Sequence, residues 1–183
     1  MRAHLVFLDE SGFLLIPPVQ RTWAPKGCTP VLRHSYRRDR LSVIGGLSVS
    51  PLRQRLGLYF QVYPWNVTAH ELMQYFAELL RHLRGQVIVL LDSWAVHKDR
   101  RVAEFCRRQR RLRLEWFPAY APELNPEEYV WTHSKRTVSN TCPGNRDELL
   151  DLVVNALCDL KESPTLLEAC LAQAANHGLI WND

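Results

Sequence analysis

Gln86 to Leu91 (QVIVLL) is apolar after its first residue and stops at Asp92. A strand with one wet face alternates between apolar and polar residues. An unbroken apolar run of this length reads instead as a strand buried on both faces. Such a strand needs a sheet with helices packed against each side, so the other segments divide around it. His4 to Leu8 is a short strand-like run that ends at the acidic pair Asp9 and Glu10. Leu41 to Ser50 and Leu56 to Tyr63 are β-type runs separated by a turn containing Pro51, and with the first run they predict three antiparallel strands. Gln20 to Pro30, punctuated by Pro and Gly, reads as a turn or hairpin.

Helices follow from their start signals. Thr68 with Glu71 three residues on makes a capping box, and Leu72, Phe76, Leu79, Leu80 and Leu83 form one apolar face. Lys98 to about Arg110 is predicted helical, and Leu112 to Phe117 is a further short strand. After the Pro-rich turn at Pro118 to Pro122, Asn125 and Pro126 supply an N-cap and a first-turn proline. Two more helices are expected at about Arg146 to Leu160 and Pro164 to His177. The predicted class is α/β: one domain with a mixed five-stranded sheet flanked by helices, plus C-terminal helices at about 145–178.

Composition narrows the function classes. With 46% hydrophobic and 23% charged residues the 183-residue chain is neither disordered nor collagen-like. No apolar run approaches the ~18 residues that span a bilayer, and the N-terminus lacks a signal-peptide pattern, so no membrane partner is expected. Cys28, Cys106, Cys142, Cys158 and Cys170 are scattered without a CxxC pair. That pattern predicts free thiols in a reducing cytoplasm rather than a zinc site or disulfide framework. Charge is uneven. Arg21, Lys26, Arg33, Arg37, Arg38 and Arg40 stand against the single acid Asp39, and eight basic residues stand against two acids between Lys98 and Arg113. Beyond Arg146 the sign reverses. Arg clusters of this kind are the electrostatic footprint of a polyanion, with Arg37, Arg38, Arg107 and Arg108 as phosphate contacts; a solvated helix face is the alternative for either cluster alone.

Three carboxylates occupy positions suited to chemistry: Asp9 at the end of the first strand, Asp92 at the end of the apolar strand, and Glu128 in the first turn of the helix opened by Asn125. If the two strands are neighbours, both aspartates project into one crevice, and a helix crossing that edge adds Glu128. Clustered carboxylates repel one another unless a hard cation such as Mg²⁺ neutralises them. Each acid also has a purely structural reading. Asp9 and Asp92 serve equally as turn or cap residues, and Glu128 as the third helical residue of an Asn125 capping box. Alternation points Glu10 away from Asp9. His97 reads either as a contact to a phosphate or metal shell, or as a solvated residue at a helix start. Trp23, Trp94, Trp116 and Trp131 are aromatic anchors, with base stacking as the second reading. A phosphoacceptor reading of Asp9 lacks the second acid two residues on, and the sequence has neither a P-loop nor a GxSxG elbow.

The segments FLDESGF (Phe7 to Phe13), RTWAPKG (Arg21 to Gly27), VLLDSWAVHK (Val89 to Lys98) and FPAYAPELNPEEYVW (Phe117 to Trp131) closely resemble the catalytic domain of bacterial mariner-like transposases, the insertion-sequence-630 type within the DDE superfamily. The resemblance runs from about residue 4 to 140, and its most specific part is the Pro–Glu–Leu–Asn–Pro–x–Glu–Tyr run. It implies an RNase-H-like fold, with Asp9, Asp92 and Glu128 as the catalytic, metal-holding acids; thirty-five residues lie between the last two. It also implies two Mg²⁺ or Mn²⁺ ions, DNA strand cleavage by water, and joining of the freed 3′-hydroxyl to target DNA, usually at TA. Arg21, Trp23, Lys26, Arg33, Arg37, Arg38, Arg40, His97, Lys98, Arg107 and Arg108 are the candidate DNA contacts. The hairpin around Trp23 is also a candidate dimer contact.

Two departures stand out. Ser93 follows the second aspartate where the family usually carries Asn, a change expected to weaken orientation of the metal site. Relatives also carry N-terminal helix-turn-helix domains, whereas this sequence starts eight residues before Asp9. The expectation is therefore a second-frame product, a truncated element or a remnant, served by a separate helix-turn-helix polypeptide. The alternative function is a catalytically inactive remnant that binds DNA non-specifically or acts in assembly.

Overall fold

The computed structural model describes residues 2–16, 20–21, 23–28, 31 and 39–177. The strands are β1 (Ala3–Leu14), β2 (Arg40–Val49), β3 (Leu56–Tyr63), β4 (Gln86–Leu91) and β5 (Leu112–Trp116). The helices are α1 (Ala69–His82), α2 (Arg100–Arg108), α3 (Pro126–Val138), α4 (Arg146–Lys161) and α5 (Pro164–Asn176), with a 3-10 turn at Pro122–Leu124. All five strands form one sheet in the order β3-β2-β1-β4-β5. β1, β2 and β3 pair antiparallel, while β4 runs parallel to both β1 and β5, so the expected mixed sheet is present.

Two apolar layers sandwich the sheet. Phe7, Phe13, Val43 and Leu47 face α3, α4 and α5 through Val130, Trp131, Leu149, Val153, Leu157 and Leu167. Val6, Leu8, Val87, Val89 and Leu91 face α1 and α2 through Leu72, Phe76, Leu79 and Val102. The Thr68–Glu71 capping box is formed, and the predicted apolar face of α1 is buried. β4 is only half as covered as its sequence implies: Val87, Val89 and Leu91 are buried, whereas Gln86, Ile88 and Leu90 are partly exposed. The C-terminal helices pack over β1, β2 and β3 instead, which leaves that face of β4 open towards one end.

The first strand differs from expectation. β1 does not stop at the acidic pair but continues to Leu14, because β2 pairs with it from Leu5 through Leu14. What stops near Asp9 is the pairing on β1's other edge, where β4 accompanies it only as far as Phe7↔Leu90. Asp9 therefore lies mid-strand at the point where the parallel edge opens. The turn expected within Gln20 to Pro30 is present as a bond from the Cys28 N–H to the Pro25 carbonyl (2.9 Å), with Gly27 at φ 87°. Arg33, Arg37 and Arg38 lie outside the described residues.

Candidate active site

Continuing the β1–β4 register two residues past Phe7↔Leu90 sets Asp9 beside Asp92, on the same face of the sheet. This is the carboxyl end of β4, where open α/β sheets place their ligand sites. A cleft of about 460 Å³ opens there. Asp9, Asp92 and Glu128 all line it, with Ser93, Trp94, Asn125 and the loop from Phe117 to Pro122. The three acids singled out in the sequence are thus brought together.

Helix α3 delivers the third acid through its cap. Asn125 Oδ1 accepts from the Glu127 N–H (3.1 Å), and its Nδ2 donates to the Leu8 carbonyl beside Asp9 (3.1 Å). The expected capping box is not made: the Asn125 side chain caps Glu127 rather than Glu128, and the Asn125 N–H donates to the Pro122 carbonyl (2.9 Å). The Glu128 carboxylate therefore lines the cleft rather than folding back on its own cap. One turn further on, Trp131 donates its indole N–H to Asp9 Oδ2 (3.0 Å), so its role is to hold this acid rather than stack on a base. Gly45 on β2 makes the docking possible. A Cβ there would lie 2.7 Å from Trp131 Cζ2 and closer still to Glu127.

The charge in this corner is concentrated. Burial first, then the Glu128 and Glu10 carboxylates, push Asp9 up to about 8, against the stabilising pull of the Glu10 amide and Trp131 indole. In sequence Glu127 reads only as a spare acid beside Glu128; it is fully buried, with both carboxyl oxygens lacking a formed hydrogen bond. Burial first, then Asp9, raise it well above the carboxylate range, although the Leu47 amide favours the ionised form. Its place on the buried side of the helix, one residue before Glu128, was the available signal.

His97 is buried rather than solvated at a helix start: its side chain is 0% exposed, away from a direct DNA contact, and its ring nitrogens face Glu10 and Asp92. Burial works against its charged form, but Glu10 and Asp92 outweigh that and raise its pKa. Arg21, Trp23, Lys26, Arg40, Lys98, Arg107 and Arg108 are all exposed, as a DNA contact requires, although Arg108 pairs with Glu104 (2.6 Å). Arg111 is diverted: its guanidinium donates to the Leu80, Leu83 and Gly85 carbonyls and closes the C-terminal end of α1.

The donor chemistry suits a hard divalent cation: three carboxylates on one cleft, one of them pushed towards its protonated form by burial and by the neighbouring carboxylates. Among the described residues no three such groups already lie close enough to hold an ion, so the acids converge on the cleft without closing a coordination sphere.

This sheet order, with acids gathered where the parallel pairing of β1 and β4 ends, defines an RNase-H-like domain. The chain belongs to the DDE superfamily endonuclease family, whose model matches residues 4–150. It is 28% identical to the transposable element Tcb2 transposase of Caenorhabditis briggsae, over 81% of this chain and 57% of that protein. Its fold is that of the Mos1 transposase paired-end complex with the left transposon end (TM-score 0.61, 18% identity, 93% of this chain and 55% of that one). The Mos1 paired-end complex with Mg matches similarly (TM-score 0.64, 14% identity, 98% and 57%), as does the complex with Mn (0.60, 17%, 93% and 55%). The chain thus spans little more than half the length of these relatives.

Proposed function

We propose that this chain is the catalytic domain of a bacterial mariner-like transposase of the insertion-sequence-630 type. It would hydrolyse DNA strands at transposon ends and join the freed 3′-hydroxyls to TA-containing target DNA. The carrying observation is the convergence of Asp9, Asp92 and Glu128 on one cleft in a domain of the DDE family. Asp9, Asp92 and Glu128 would hold two Mg²⁺ or Mn²⁺ ions, the metals named for the Mos1 complexes. Such ions, when bound, activate the attacking oxygen and stabilise the leaving one in phosphoryl transfer.

The chain's own groups prepare the site. Trp131 orients Asp9, and the Trp94 N–H with His97 orients Asp92. Phe117, Pro118 and Pro122 give the cleft an apolar flank. Trp94 and Tyr120, both exposed at the cleft, offer faces on which an unpaired base can stack. Lys98 and Arg100 open α2 a few residues after Asp92, and Arg107 and Arg108 close it about 12 Å further along, a row that suits phosphates flanking the cleft. Arg21, Trp23, Lys26 and Arg40, with Arg33, Arg37 and Arg38, would contact DNA or a second copy of the chain. The chain would act in the bacterial cytoplasm.

The test is nicking of supercoiled plasmid in Mg²⁺ or Mn²⁺ against EDTA. We expect metal-dependent nicking that Asp92→Asn reduces by at least about a hundredfold with the fold intact. Nicking that survives Asp92→Asn would remove Asp92 from the chemistry. Salt-sensitive DNA binding without any nicking would leave the DNA-binding remnant as the better account.

A further inference from the structure

Asp92 sits just past the end of β4, and its carboxylate is 58% exposed, yet its orientation is not left to solvent. Oδ1 accepts from the Trp94 N–H (2.9 Å) and lies 2.9 Å from His97 Nδ1, which is also 3.0 Å from the Asp92 carbonyl. Two protein groups thus occupy one carboxylate oxygen, while Oδ2 receives no hydrogen bond from the described residues. The His97 ring is itself fixed. Its Nε2 lies 2.9 and 3.1 Å from the two oxygens of Glu10, and Trp94 packs edge-on at 5.5 Å.

Glu10 reaches this position because β1 runs straight through the acidic pair. Alternation sends Asp9 to the cleft and Glu10 to the opposite face, where the 13%-exposed carboxylate meets His97. The chain after Asp92 turns back through the His97 N–H to Trp94 carbonyl bond, which brings the imidazole behind the aspartate. One strand therefore supplies an acid to the cleft and, from its next residue, the anchor that steadies the acid from the neighbouring strand.

We propose that Glu10 and His97 are a positioning pair: Glu10 fixes the imidazole, and the imidazole fixes the Asp92 carboxylate so that its free oxygen is presented to a divalent cation. The proposal rests on the reading of Asp92 as a metal-holding acid. Partners that orient a metal ligand from behind contribute about 10–100-fold to metal affinity. Glu10 and His97 touch neither the cation nor DNA in this role.

The experiment is Mn²⁺ binding to the whole chain without DNA, followed by the paramagnetic resonance of free Mn²⁺, beside thermal unfolding in EDTA. Histidine isosteres separate the two ring contacts. In His97→Asn an amide replaces Nδ1 and keeps the contact to Asp92; in His97→Gln the amide replaces Nε2 and keeps only the contact to Glu10. We expect His97→Asn to bind Mn²⁺ within about threefold of the original protein and His97→Gln to bind about tenfold or more weakly, with similar melting of the two. Glu10→Ala should weaken binding by about tenfold, and Glu10→Gln, which retains the acceptor, should largely restore it. Equal Mn²⁺ affinity in all four variants would overturn the proposal. So would losses that merely track melting temperature, or that are equal for the two isosteres. Undiminished Mn²⁺ binding in Asp92→Asn, or none in the unsubstituted chain, would overturn the metal reading itself.

Discussion

Asp9→Asn should make the metal-free protein more stable, by an amount that grows with pH. Burial and neighbouring carboxylates raise the folded-state pKa of Asp9 from 3.8 to about 8. Between those values the unfolded chain has released the proton while the folded chain keeps it, so stability falls as pH rises. The slope is about 1.4 kcal/mol per pH unit. It begins near pH 4 and levels off above pH 8. By this linkage the ionisable Asp9 costs about 2 kcal/mol at pH 5 and about 4 at pH 7, the latter trimmed to about 2–4 by solvent contact at the cleft. Asn is isosteric, keeps an oxygen for the Trp131 indole and carries no proton, so the cost disappears. Urea unfolding of both proteins in EDTA at pH 4, 5, 6, 7 and 8 reads the difference directly. We expect near-equality at pH 4 and a widening advantage for Asp9→Asn up to pH 8. Saturating Mg²⁺ should narrow or reverse that advantage, because only the original protein gains the cation's charge. A difference independent of pH would show that Asp9 is ionised throughout, and would refute the argument that this corner lacks positive charge.

Two further substitutions test how the helix is docked. Asn125→Ala removes an N-cap, worth about 0.5–2 kcal/mol, and the tie to the Leu8 carbonyl, worth about another 1. Denaturant unfolding should show about 2–3 kcal/mol lost, with nicking falling further than stability as Glu128 moves from the cleft; a stable protein with unchanged nicking would show that Glu128 needs no such anchor. Gly45→Ala drives a methyl group into Trp131 and Glu127, and should cost about 1–3 kcal/mol in a thermal melt. No loss there would mean that α3 docks more loosely than its packing indicates.

Much of this architecture was legible because its signals are local. The boundaries of β3 and β4 follow from apolar runs ended by turn residues, and α1 from a capping box followed by one apolar face. Asp9, Asp92 and Glu128 were readable as strand-end and helix-start acids, and the structure brings them to one cleft. The misreadings come from pairing across distance. The acidic pair suggested that the first strand ends there, whereas β2 carries it on to Leu14. The half-exposed face of β4 depends on where α3, α4 and α5 settle, which no single segment records. Histidine position alone could not show that His97 turns inwards, because its partner Glu10 is 87 residues away. Glu127 reads as a spare acid because its burial depends on the close approach of α3 to Gly45, which is a long-range contact.

The same geometry sets a conflict of sign that the proposed function must resolve. Asp9, Asp92 and Glu128 face the cleft, and Glu10 and Glu127 lie just behind it, so the place where a phosphate would react is locally anionic. None of the described residues that line the cleft is basic, and the basic residues of α2 are exposed outside it. On the proposed function, α2 would attract DNA from outside the cleft, and the polyanion would approach the acids most readily with cations bound to them. Metal and DNA would then bind cooperatively for electrostatic reasons, since each would remove the charge that repels the other. The elevated pKa of Asp9 is the metal-free form of that conflict: with no cation present, the corner lowers its charge by holding a proton instead.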